Sequence, residues 1–202
     1  MQHIRIQFIF ILVFTLVVGS SCLAQEAVNS YRLYNGSPRL LVKSNLFYNA
    51  TASINLELEF KLSRRHTLSL PVNYNPFEFA NNSKRKHLLV QPEFRHWLCE
   101  SFMGHFLGIH AHYAYYNVGN INLFRATKEH RYQGWLGGAG VSWGYHWLLS
   151  PRWSLEFTVG LGYAYLDYDK YDSPKCGKLV KSDNRHYVGP TKVGLSLIYV
   201  IK

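Results

Sequence analysis

Ser53-Ile54-Asn55-Leu56-Glu57-Leu58-Glu59-Phe60-Lys61-Leu62 alternates from end to end. Ile54, Leu56, Leu58, Phe60 and Leu62 take one side; Asn55, Glu57, Glu59 and Lys61 take the other. A period of two places successive side chains on opposite faces, so this stretch is a strand with one apolar and one charged face. The pattern recurs at Thr67 to Asn75, at Trp153 to Leu166 and at Lys192 to Ile201. Weaker versions run from Arg39 to Tyr48, His87 to Trp97, Phe106 to Tyr116 and Tyr132 to Trp147. These eight strands are each about ten residues long, the length of a tilted strand crossing a bilayer. Soluble strands average nearer ~5–6 residues.

Composition agrees with that reading. Charged residues are only 17% of the 202 and aromatics 16%, with a net charge of +10. Soluble domains carry roughly 25% charged residues. An apolar content of 48% excludes intrinsic disorder. Three cysteines in a chain of this length exclude a disulfide scaffold.

Residues 1–24 read as a secretory signal peptide. His3 and Arg5 open it, Ile6 to Val18 is almost wholly apolar, and Cys22 and Ala24 are the small residues before a cut at Gln25. The apolar stretch is short of the ~20 residues that span hydrocarbon as a helix. Acylation of Cys22 is the competing reading; it would want an aliphatic residue where Gly19 stands. No later run is apolar enough for a membrane helix, so the exported chain is soluble or a β-barrel. The expected fold is all-β, an eight-stranded antiparallel transmembrane barrel of outer-membrane type over residues 39–202. Residues 25–38 form a periplasmic segment before it.

The connections test this. Ser63 to His66, Leu98 to Met103 and Leu148 to Arg152 are short, whereas Pro76 to Lys86, Asn117 to Arg131 and Asp167 to His186 are long. Short turns on the periplasmic side and long loops outside are the outer-membrane pattern. This topology puts Trp97, Trp147, Trp153 and Tyr199 at the periplasmic end. Tyr74, Tyr113, Tyr115, Trp135, Tyr163 and Tyr165 fall near the outer end, which makes two aromatic girdles. A soluble barrel would instead turn its apolar face inward and Glu57, Glu59, Glu93 and Arg95 outward.

In the membrane reading the lumen holds Lys43, Glu57, Glu59, Lys61, Glu93, Arg95, Glu156 and Lys192. Acids and bases balance, and eight strands leave room only for side chains, so a closed salt-bridged interior is expected. Glycines crowd the sixth and seventh strands; all there but Gly137 face inward and make room for large side chains opposite. His110 and His112 share the inward face. A metal or acid–base site is conceivable there, but a hydrogen-bonded polar core is the simpler reading. Glu57 and Glu59 could form a carboxylate pair, with ion pairing to Lys61 and Arg95 the simpler account. No catalytic set, metal site or cofactor is assigned. Cys99 and Cys176 lie at opposite ends and should not pair.

The outer loops are basic, with Lys84, Arg85 and Lys86 in the first and Arg125, Lys128 and Arg131 in the second. For an exported protein this points to lipopolysaccharide phosphates rather than nucleic acid. Lys192-x-Gly194-x-x-Leu197-x-Tyr199 has the form of the C-terminal signal read by the barrel-assembly machinery.

Leu41-Val42-Lys43-Ser44-Asn45-Leu46-Phe47-Tyr48-Asn49-Ala50-Thr51, Val90-Gln91-Pro92-Glu93-Phe94-Arg95-His96-Trp97-Leu98 and Gly104-His105-Phe106-Leu107-Gly108 carry a resemblance. So do Gly162 to Tyr168 and Gly189-Pro190-Thr191-Lys192. Over nearly the whole mature chain the sequence resembles the domain of unknown function 3575 family. That resemblance implies a small outer-membrane barrel of Gram-negative bacteria. The family has no assigned reaction, so it implies no catalytic residues. Its members' association with fimbrial genes implies a part in surface-fibre assembly. The leading functional expectation is a non-enzymatic envelope protein, structural or accessory to a surface assembly. The alternatives are a lipid A-modifying enzyme, for which the expected His-x-Ser pair is missing, and a soluble periplasmic ligand carrier.

Overall fold

The structure, a computed structural model, describes residues 38–79, 83–119, 130–172 and 179–201. Residues 1–37, with Cys22, and residue Cys176 lie outside these residues. Ten strands and one short helix follow in order: β1 (Leu40–Asn45), α1 (Leu46–Ala50), β2 (Ile54–Lys61), β3 (His66–Asn75), β4 (Glu78–Phe79) and β5 (Ser83–Val90). Then come β6 (Glu93–Trp97), β7 (Gly104–Gly119), β8 (His130–Leu148), β9 (Trp153–Asp172) and β10 (Leu179–Val200).

The sheet closes on itself, because β1 pairs antiparallel with β2 on one side and β10 on the other. β5 and β6 are one stave, since both pair with β3 and with β7. Their break falls at Gln91-Pro92, where proline has no N–H to give the ladder. The Pro92 carbonyl still accepts from Ala111 at 3.1 Å, which holds the two halves in line. β4 extends the β3 stave opposite β5. The result is a closed eight-stranded antiparallel barrel.

Two boundaries differ from the sequence reading. The first strand does not reach Tyr48. It ends at Asn45, which still registers opposite Ser196 and caps α1, its side chain accepting from the Phe47 amide at 3.0 Å. Strand also runs into the expected long loops wherever their residues are described: β7, β8, β9 and β10 run for 16, 19, 20 and 22 residues, against 6 for β1. β10 meets β1 only over Ser196 to Val200, and from Lys181 to Val193 its registered partner among the described residues is β9 alone. One wall of the barrel therefore rises well above the other.

The barrel is inside out relative to a water-soluble one. Ile109, Val141 and Leu161 face outward at 66%, 61% and 58% exposure, while Glu59, Glu93 and Arg95 are fully buried in the lumen. Tyr74, Tyr113, Tyr115 and Tyr163 are exposed toward the loop end, and Trp143, Trp147 and Trp153 toward the turn end. Trp97 does not belong to the turn-end ring. It shares the inward face of β6 with Glu93 and Arg95 and is completely buried. With Leu41, Phe102, Phe106, Ile198 and Val200 it forms an apolar floor to the lumen. Phe102 reaches that floor from the β6–β7 turn by adopting φ 72, and packs edge-on against Trp97 at 5.9 Å.

The glycines of β8 and β9 are small because the lumen is full. A Cβ on Gly140 would stand 2.5 Å from the Leu161 carbonyl oxygen and 2.8 Å from His110 Nε2. One on Gly138 would stand 2.7 Å from His112 Nε2. On the outward Gly137 the nearest atom is 3.5 Å away, an ordinary contact. Gly140→Ala should destabilise the barrel by about 1–3 kcal/mol, as overpacking does, and Gly137→Ala should stay within ~0.5 kcal/mol. Urea unfolding of the refolded protein in lipid checks both.

Candidate functional site

Strand alternation sends Lys43 of β1, Glu57 and Glu59 of β2, Arg95 of β6 and Glu156 of β9 to one level of the lumen. Arg95 sits at the centre. Its Nε donates to Glu93 Oε1 at 2.9 Å, Nη1 to Glu59 Oε2 at 2.9 Å and to Glu156 Oε1 at 3.0 Å, and Nη2 to Glu57 Oε1 at 3.2 Å. The rigid fork of five N–H donors suits four carboxylates arriving from three strands, β2, β6 and β9. Lys43 Nζ pairs with Glu59, with Glu156 at 2.6 Å and with Glu57 at 3.5 Å. Lys192 Nζ pairs with Glu93. Phe106 lies beneath the guanidinium, 4.4 Å from its ring centre to the Arg95 Cζ.

Hydroxyls fill the remaining lone pairs. Ser69 donates to Glu57 at 2.5 Å, Thr67 to Glu59, Ser142 to Glu93 at 2.9 Å and Thr158 to Glu156 at 3.1 Å. Trp97 Nε1 donates to Thr67 Oγ1 at 2.9 Å, which ties the polar layer to the apolar floor. Breaking a buried pair leaves an uncompensated charge and costs ~3–5 kcal/mol, so this layer is held by mutual dependence. Glu59 engages Thr67 through one oxygen and Arg95 and Lys43 through the other, whereas Ser69, Arg95 and Lys43 all meet Glu57 at Oε1.

Lys61 keeps the inward register but sits half-buried at the turn end of β2. His146 joins the cluster unannounced by the sequence, its Nδ1 3.6 Å from Glu156 Oε2. Its parity within the glycine-rich face of β8 was the available signal. His110 and His112 lie above, tilted by 39° with ring centres 5.7 Å apart, and His110 Nε2 is 2.9 Å from Thr191 Oγ1. The Nδ1 atoms of His110 and His112 have no protein partner. No group of three or more metal-ligating side chains occurs among the described residues.

The basic residues divide. Arg125 and Lys128 lie outside the described residues. Lys84 and Arg85 belong to β5 rather than to a loop, opposite Gly119 and Val118. Lys86 stands opposite Asn117, which stands opposite Gln133. Arg131 Nε donates to Asn117 Oδ1 at 2.7 Å and its Nη2 to Gln133 Oε1 at 3.0 Å. Its guanidinium lies 5.9 Å from the Tyr171 ring. One row below, Tyr115 pairs with Trp135. A cationic and amide-rich band thus sits directly above the upper aromatic ring on the outer surface. Lys181 and Asp183 pair at 2.6 Å on the rising hairpin; each draws the other toward its charged form, Lys181 upward and Asp183 downward in pKa.

In β10, Lys192 and Gly194 face the lumen side while Tyr199 packs edge-on against Trp153 at 5.1 Å. Leu197 registers opposite Leu155.

The family described as protein of unknown function (DUF3575) has a model that matches residues 9–201. The chain belongs to that family. The match covers every strand of this DUF3575 barrel, so the polar layer and the aromatic rings both lie within the family's span. No curated protein and no solved structure matches the chain.

Arg95→Met should lower the unfolding free energy by about 3–5 kcal/mol, because four carboxylates lose their shared partner. Lys61→Met at the edge should cost under ~1 kcal/mol. Parallel urea titrations in lipid check the contrast.

Proposed function

We propose that this DUF3575 protein is a non-enzymatic outer-membrane barrel of the cell envelope. On this reading it is closed to solutes and accessory to a surface assembly, with surface fibres the leading candidate. The observation that carries the proposal is the inverted surface: an apolar exterior between two aromatic rings, around a lumen of ion pairs. Water would leave that exterior uncovered, whereas hydrocarbon flanked by two interfaces matches it. Residues 1–24 supply the export signal, both termini of the barrel lie on the periplasmic side, and Lys192, Gly194, Leu197 and Tyr199 supply the assembly signal.

The band of Lys86, Asn117, Arg131 and Gln133 then lies at headgroup height on the outer leaflet. Lipopolysaccharide phosphates suit it, since a guanidinium binds phosphate through paired N–H groups. The engaged carboxylates of the lumen favour a structural role over a lipid A-modifying enzyme.

In fractionated cells the protein should need detergent for extraction, and it should migrate faster on gels unheated than boiled. Extraction by salt or carbonate alone would overturn the proposal. Lipid A mass spectra of a deletion strain should match those of the parent; a changed acylation or phosphate pattern would favour the enzyme. Planar bilayers holding the wild-type protein should show no steady conductance. Arg131→Ser should reduce lipopolysaccharide retained on purification and leave folding unchanged.

A further inference from the structure

A second site lies on the outside of the barrel at the turn end, away from the lumen and the basic band. His66 opens β3 and His96 is the last residue but one of β6, and the two are registered directly across the ladder. Both point outward, since their neighbours Thr67, Arg95 and Trp97 point in. His96 Nδ1 and His66 Nε2 are 3.0 Å apart. The other nitrogen of His66, Nδ1, is 2.8 Å from Ser63 Oγ.

We propose that His66 and His96 form a two-imidazole site for a divalent transition metal, copper(II) or nickel(II). Two nitrogens 3.0 Å apart, each ~2.0–2.1 Å from a metal, subtend about 95° at it. That is the angle of neighbouring positions in square-planar or octahedral coordination, the geometry of copper(II) and nickel(II). Tetrahedral zinc would need the rings to part.

In the metal-free pair one imidazole nitrogen donates to the other across the 3.0 Å contact, and a metal takes that proton's place. With Ser63 Oγ accepting from His66 Nδ1–H, the Nε2 lone pair is free for the metal, as outer partners of ligating histidines arrange. His96 is exposed, so its proton can sit on the solvent-side Nε2 and leave Nδ1 free. The scaffold is firm. His66 stacks on Phe94 at 5.4 Å and 21°. Its carbonyl accepts from Leu62 and Ser63, closing the β2–β3 turn. Ser101 donates to the carbonyls of Ser63 and Arg64, pinning that turn to the next one. With two protein ligands, water fills the remaining positions.

The test is copper(II) titration of tag-free, full-length protein in detergent, followed by electron paramagnetic resonance and by competition with nickel(II). The first equivalent should show a tetragonal spectrum with two-nitrogen splitting. His66→Ala and His96→Ala should each weaken it by about tenfold or more, Ser63→Ala should weaken it less, and His186→Ala at the other end should leave it unchanged. Faster gel migration before boiling certifies that each variant is folded. First-equivalent binding in His66→Ala and His96→Ala equal to wild type would overturn the site, as would a spectrum with fewer than two nitrogens.

Discussion

The fold turns on one guanidinium. Arg95 takes carboxylates from β2, β6 and β9, and Lys43 binds three of the same four from β1. Buried as these side chains are, each charge is costly alone and stable only with its partners in place. A shift of one residue in any contributing strand would send its carboxylate to the outside and an apolar side chain inward. The ion-pair layer therefore fixes register around the barrel as well as filling its centre.

What surrounds that layer follows from it. The cations are bulky, so the facing walls must be thin: β8 and β9 offer glycine, and the imidazoles of His110 and His112 fit against Gly140 and Gly138. Below, Trp97 links the polar layer to the apolar floor through Thr67. With charge and aromatic bulk committed to the interior, the exterior is left to Leu, Ile, Val and rings of Tyr and Trp.

The alternation of Ser53 to Leu62 made the barrel legible, because a two-faced strand needs one apolar and one polar environment. The same alternation placed Lys43, Glu57, Glu59, Glu93, Arg95, Glu156 and Lys192 in the lumen, where the structure has them. It failed where neither face is apolar. Asp167 to Asp172 and Leu179 to His186 are polar or mixed on both sides, so the rising wall read as loop. Trp97 was misplaced because its position near a strand end suggested the membrane interface; its parity with Glu93 and Arg95 pointed inward. α1 was missed because a five-residue helix leaves no period, although Asn45 is a capping residue. The His66–His96 pair could not be seen without register, since the two lie on strands joined only through the ladder.

The central claim is that the apolar face meets hydrocarbon and the charged face is sealed. In a background with all native cysteines replaced, Ile109, Val141 and Leu161 can each be changed to Cys and probed in intact outer-membrane vesicles. A water-soluble maleimide should leave all three unmodified in the vesicles and should label them once the protein is extracted and unfolded. Ready labelling of these three positions by the water-soluble reagent in the folded protein would contradict the account.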